Sequence, residues 1–165
     1  VLTDCDALPK LFPELVMNSL GMHALLKVIP LSEDAQVRFA ALLHHLKQDS
    51  IKALSARYRI PSDYRDLALL VERHLREYQN AAQLSPPEIV NLLQSVDAFR
   101  REDRFNKFLT ACEAASKQNN SEWLRQCYVA AKSINVRELI DAGFANLALA
   151  EKIKEMREKA IQLLK

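Results

Sequence analysis

Apolar residues recur at three- and four-residue steps through most of the chain, the spacing of one helical face. The clearest case runs from Val37 to Lys47, where Val37, Phe39, Ala40, Leu43 and Leu46 predict a buried helix. Two adjacent histidines, His44 and His45, stand near its end. The residues alone leave two readings open: remains of a metal site, or polar side chains at a core boundary.

The elements on either side follow from similar signals. Asp4 to Leu8 reads as a short turn before Pro9, and Pro9 to Leu15 as one helical turn followed by a bend. Asn18 or Ser19 can cap a helix over Leu20 to Ile29, which Pro30 ends. Ser32 is the expected cap of the Val37 helix, with Glu33 and Asp34 in a first turn that favours negative charge. A short helix over Ile51 to Tyr58 precedes a break at Ile60-Pro61-Ser62. Ser62 then caps a helix from Asp63 to about Tyr78, with Leu67, Leu70, Val71 and His74 on one face.

Ala81 to Leu84 is the expected connection between two lobes, 1–80 and 81–165. Ser85-Pro86-Pro87-Glu88 predicts a capping box with proline at the first helical position. The helix expected after it covers Pro86 to Phe99, and the next covers Asp103 to Lys117, with Phe105, Phe108, Leu109 and Cys112 spaced for burial. A helix starting at Asn119 to Glu122 is expected to run through Ala131. Asn135 to Glu138 resembles a second capping box, and Gly143 is a good C′ residue for its helix. A final helix is expected from Asn146 to about Leu164, with ordinary surface pairs Glu151–Lys154 and Glu155–Lys159.

Composition agrees with an all-α fold. The 165 residues include only two glycines, and Ala, Leu, Arg, Glu, Lys and Gln dominate. Hydrophobic residues at 49% suffice for a core. Gly21 and Gly143 alone cannot build a P-loop or a dinucleotide fingerprint. No nucleophile motif is present, and Asp63 with Asp66 reads as a solvated first turn. Cys5, Cys112 and Cys127 form no C-x-x-C pair, so a reducing cytosol is the simple expectation. No apolar run approaches the roughly 18 residues that span a bilayer, and no membrane association is expected. The start at Val1-Leu2 suggests a piece of a longer protein.

A net charge of +2 says little about partners, so a nucleic-acid surface must come from local clusters. Arg57, Arg59, Arg65, Arg73 and Arg76 form one. Arg100, Arg101, Arg104 and Lys107 form another, and Lys117, Arg125, Lys132 and Arg137 a looser third. Tyr58, Tyr64, Phe99 and Trp123 lie among them. Guanidinium groups suit phosphate contacts. The competing reading is a set of solvated faces in which nearby acids balance the bases. Arg57, Arg59, Arg100, Arg101, Arg104 and Lys107 are the expected RNA-contacting residues.

Several segments, taken in order, resemble one family. Val1 to Leu8 with Leu11 to Glu14 resembles "VLR-DCGAL…LFPE", and Gly21-Met22-His23 resembles "GIH". Val37 to Leu46 resembles "VRFA-LCHDLGK", and Ile60 to Val71 is similar to "VP-EIRDLA-LV". Ser85 to Arg100 is similar to "L-P-IV-L-D-IDAWR", and Ala142 to Phe144 resembles "AGF". These are motifs of the C-terminal part of bacterial CCA-adding tRNA nucleotidyltransferases that carry an HD domain. The resemblance implies an HD-like helical lobe followed by a helical body and tail that grip tRNA. It also implies a catalytic head, absent from this chain, which would use Mg²⁺ with ATP and CTP to add CMP and AMP.

The chain departs from the family where metal would bind. His23 and His44 match two family ligands, but His45 stands where the HD motif has an aspartate, and Lys47-Gln48 replaces its "GK". The segment carrying a further ligand histidine is missing before Ile60. The expectation is therefore a vestigial site with no bound metal, no cofactor in this chain and no phosphohydrolase activity. A related poly(A) polymerase and a stand-alone degenerate HD interaction module are the alternatives.

Overall fold

The computed structural model describes residues 10–16 and 19–165. The expected turn at Asp4 to Leu8, Cys5 and the Asn18 cap lie outside the described residues. All regular structure among those described is helical, and no helix is long and apolar enough to cross a membrane. Contacts gather the chain into two compact units.

The first unit holds the described residues up to Gln79 together with Asn106–Asn119. Its helices are α1 (Pro13–Val16), α2 (Ser19–Val28), α3 (Ala35–Leu43), α4 (Gln48–Arg57) and α5 (Ser62–Gln79), plus the later part of α7 (Glu102–Ala115). On α5, Leu67, Val71, His74 and Tyr78 repeat at four and three residues and are all buried, while Arg73, Arg76 and Glu77 face solvent. That stripe packs on α3, whose Val37, Ala40, Ala41 and Leu43 are buried. Each large apolar side chain so covered contributes about 1.5–3 kcal/mol. Tyr78 meets Phe108 edge to face, with centroids 6.5 Å apart.

The histidine-bearing helix differs from expectation at both ends. Its cap is Asp34 rather than Ser32. Asp34 has extended backbone (φ −66°, ψ 118°), and its Oδ1 accepts the Gln36 N–H at 2.7 Å. Ser32 Oγ instead accepts the Asp34 N–H at 3.1 Å. The helix stops at Leu43, so His44 and His45 lie in the turn beyond it. Gly21 explains how α2 approaches this turn. A Cβ there would lie 2.3 Å from the Leu42 carbonyl oxygen and 2.6 Å from His45 Cε1.

The second unit holds Asn80–Phe105 and Asn120–Lys165. It contains α6 (Pro86–Ser95), α8 (Ser121–Lys132), α9 (Val136–Asp141) and α10 (Asn146–Gln162), with α10 packed on α8 and α6. The capping box forms as expected: Glu88 Oε2 accepts the Ser85 N–H at 2.7 Å and the Ser85 hydroxyl at 2.6 Å. Asn135 also caps its helix, accepting the Arg137 N–H at 3.1 Å and donating to Glu138 at 2.7 Å.

Helix α6 ends at Ser95, short of the expected Phe99. Asp97 turns left-handed (φ 57°), Asp97 N–H donates to Gln94 O, and Ala98 N–H donates to Leu93 O, both at 2.9 Å. This is a Schellman closure with aspartate where glycine is usual. The same closure ends α9 at Gly143 (φ 90°), where Phe144 N–H reaches Leu139 O at 3.1 Å. It also ends α4, where Arg59 has φ 51° and Ile60 N–H reaches Ser55 O at 2.9 Å.

Candidate nucleic-acid interface

The expected RNA-contacting residues fall in both units, and each cluster is built differently. In the first unit, the α4 terminus presents Arg57 and Arg59. Arg57 pairs with Glu14 and lies 5.1 Å from the Tyr58 ring centroid. Arg59 is exposed, and no ion pair or side-chain hydrogen bond holds it among the described residues. Lys107 also belongs to this unit, where its ammonium sits 3.0 Å from Asp34 Oδ2 and donates to Gln36 Oε1 at 3.0 Å. It thereby braces the start of α3. Burial pushes the Asp34 carboxyl up, but Lys107 and the Gln36 N–H outweigh it, and the net shift is downward.

In the second unit the turn after α6 gathers Arg100, Arg101 and Arg104 around Asp97, at 3.9, 3.5 and 3.6 Å. These separations are long for hydrogen bonds, so one carboxylate orients three guanidiniums without neutralising them. Arg100 and Arg101 side chains are 80% and 58% exposed, while Arg104, at 25%, also donates to Val96 O at 3.4 Å. Exposed pairs of this kind are weak, which leaves the outer guanidiniums available to phosphate.

The neighbouring aromatics are engaged in packing. Tyr58 donates its hydroxyl to Leu11 O and packs at a tilt against Phe12, with ring centroids 4.8 Å apart. Tyr64 meets Phe39 edge-on, and Trp123 donates to Ala81 O at 3.2 Å. Phe99 is covered by Arg157, 3.7 Å from its centroid, and by Tyr128. Tyr128 in turn donates to Glu102 at 2.9 Å, and Lys132 donates to the same oxygen at 2.6 Å. Lys132 and then Tyr128 hold the Glu102 carboxyl below its usual range. Arg157 was not among the expected residues. It lies far from Phe99 in sequence, and its helix carries other basic residues at similar spacing.

His44 Nδ1–H donates to Ala41 O at 2.8 Å, and burial lowers the pKa of this ring. Both ring nitrogens of His45 are buried without a partner among the described residues. Burial first, then the adjacent His44, lowers its pKa as well. His23 is exposed on α2. Among the described residues no three His, Cys, Asp or Glu side chains converge. Among the described residues the donor set that the resemblance implies for an HD metal is incomplete. His74 is a satisfied core histidine, its Nδ1 2.7 Å from Glu77 Oε2. Cys112 and Cys127 are free and buried, and burial pushes the Cys127 thiol up to about 12.

No protein-family model matches the chain, and no solved structure does. Curated relatives match it throughout. A CCA-adding enzyme of Pseudomonas putida strain W619 is 34% identical over 170 residues, covering 100% of this chain and 46% of the relative. One from Coxiella burnetii is 34% identical over 166 residues, covering 99% and 44%. A multifunctional CCA protein of Thioalkalivibrio sulfidiphilus is 32% identical over 209 residues, covering 100% and 51%. The chain thus spans about half the length of the curated relatives it matches. The Thioalkalivibrio alignment is longer than this chain, so that relative carries a stretch with no counterpart here.

Proposed function

We propose that this chain, homologous over its whole length to the C-terminal part of CCA-adding enzymes, is the portion that holds tRNA for such an enzyme. The observation that carries this reading is the match along the entire chain to about half of those relatives. In the whole protein a separate head would supply Mg²⁺, CTP and ATP chemistry and add CMP and AMP to the tRNA 3′ end. This chain supplies grip. Backbone phosphates of A-form RNA meet the guanidiniums of Arg100 and Arg101 in the second unit and, as a separate cluster, those of Arg57 and Arg59 in the first, and recognition runs through shape and charge. Arg104 is steadied by Asp97 and Val96, and Asp97 orients its two exposed neighbours; Lys107 contributes positive charge while bracing α3.

The chain itself catalyses no phosphoryl or cyclic phosphodiester hydrolysis. His45 in place of an acid leaves a neutral, poorly neutralising donor set. Added nickel or manganese should leave 2′,3′-cyclic nucleotides uncleaved; turnover that a His44→Ala variant abolishes would refute this.

The tRNA reading is tested by reversing charge at Arg100→Glu and Arg101→Glu together. The salt dependence of tRNA binding should fall by about two phosphate contacts, and the melting temperature should barely move. Unchanged affinity alongside a large loss of stability would make these arginines structural instead.

A further inference from the structure

The first unit contains a pocket that neither the tRNA reading nor the family resemblance assigns. It lies between α4 and α5 and has a volume of about 630 Å³, within the range of small-molecule sites. Lys52, Arg59 and Arg65 line it with Asp66, Ser55 and Leu69. Asp66 is occupied, because Arg65 Nε and Nη2 donate to its Oδ1 at 2.9 and 2.8 Å. Three cations therefore face one carboxylate, and the lining carries an excess of positive charge. Among the described residues Lys52 reaches only the fully exposed Asp49, at 3.9 Å.

Two details set this pocket apart from an ordinary basic surface. Ser55 is 3% exposed, and its Oγ has no hydrogen-bond partner among the described residues. A helical serine usually satisfies itself on a carbonyl one turn back, and a buried unsatisfied hydroxyl is costly. The second detail is Arg59, held at φ 51° where glycine would be unstrained. Arg59 and Ser55 line the same pocket, and neither the guanidinium nor the hydroxyl has a partner among the described residues. Strain of this kind persists when the surroundings over-determine it, and it clusters at ligand sites.

We propose that this pocket binds the phosphate of a nucleotide unit. Arg59 and Lys52 supply charge, Ser55 Oγ donates one hydrogen bond, and Arg65 is held in place by Asp66. The volume exceeds one phosphate and leaves room for an attached sugar along the Leu69 wall. The nucleotide unit is either one residue of an RNA strand or a free mononucleotide, and the phosphate chemistry is common to both. The proposal shares Arg59 with the tRNA reading but rests on the pocket itself.

Amide chemical shifts of the whole chain test it, with inorganic phosphate, 5′-AMP, adenosine and tRNA as separate probes at constant ionic strength. Phosphate and 5′-AMP should give saturable shifts at Ser55, Arg59 and Ile60, and adenosine should give none. Arg59→Gly should weaken phosphate binding about tenfold or more while the chain stays folded, since glycine suits that backbone. Ser55→Ala should weaken it less. If tRNA displaces phosphate from these amides, RNA is the source; if 5′-AMP saturates them and tRNA leaves phosphate in place, it is a free nucleotide. Shifts that chloride reproduces, or that survive Arg59→Gly unchanged, overturn the site. Binding of tRNA with these amides unmoved by every phosphate probe overturns the pocket alone. Phosphate saturation without tRNA binding overturns the tRNA reading alone.

Discussion

At Arg59 the chain keeps a long cationic side chain where the backbone favours glycine. Arg59→Gly should raise stability by about 1 kcal/mol, read from urea melts, because it removes a left-handed conformation that costs L-residues about that much. Gly21 is the opposite case. With a carbonyl oxygen 2.3 Å from the position of a Cβ, Gly21→Ala should cost about 1–3 kcal/mol, and the melting temperature should fall accordingly. The half-buried ring of His45 links stability to pH. Its folded pKa, and that of His44, lies below the ordinary 6.5. Below that value the unfolded chain takes up protons that the folded chain resists. Stability present above about pH 6.5 is therefore lost as pH falls toward the lowered folded values. Melting temperatures measured between pH 7.5 and 5 should drop less for His45→Gln than for the native chain. An equal drop would assign the effect to other groups.

Helix existence could be read from sequence wherever an apolar stripe was continuous, as on α5. Helix ends were readable only where the closing groups lie within one turn. Ser85 and Glu88 are three residues apart, so their capping box could be recognised, and Ser85→Ala should cost about 1 kcal/mol in thermal or urea unfolding. The end of α6 could not be placed, because apolar spacing continues past Ser95 and only the left-handed Asp97 stops the helix. The start of α3 was misplaced by two residues. Ser32 and Asp34 are equally good caps by type, and the choice rests on backbone angles that composition does not carry.

Across the whole molecule, partners distant in sequence were the least readable feature. The arginines of the candidate interface stood out as clusters. Their burial, and the capture of Lys107 by Asp34 and of Phe99 by Arg157, depend on residues tens of positions apart. Nothing in local spacing brings Asn106–Asn119 to the first unit either. The histidines show the same limit from another side. The sequence singles out His44 and His45, and the turn holds them as half-buried rings on which, among the described residues, no acid converges.

Equilibrium binding of tRNA against salt concentration, with duplex DNA of similar length as competitor, bears most directly on the proposed role. Saturable tRNA binding that weakens log-linearly with salt and yields little to the DNA is expected from an A-form grip through several phosphates. Absence of binding at low salt, or equal preference for the DNA, would remove the basis for reading this chain as the tRNA-holding part of a CCA-adding enzyme.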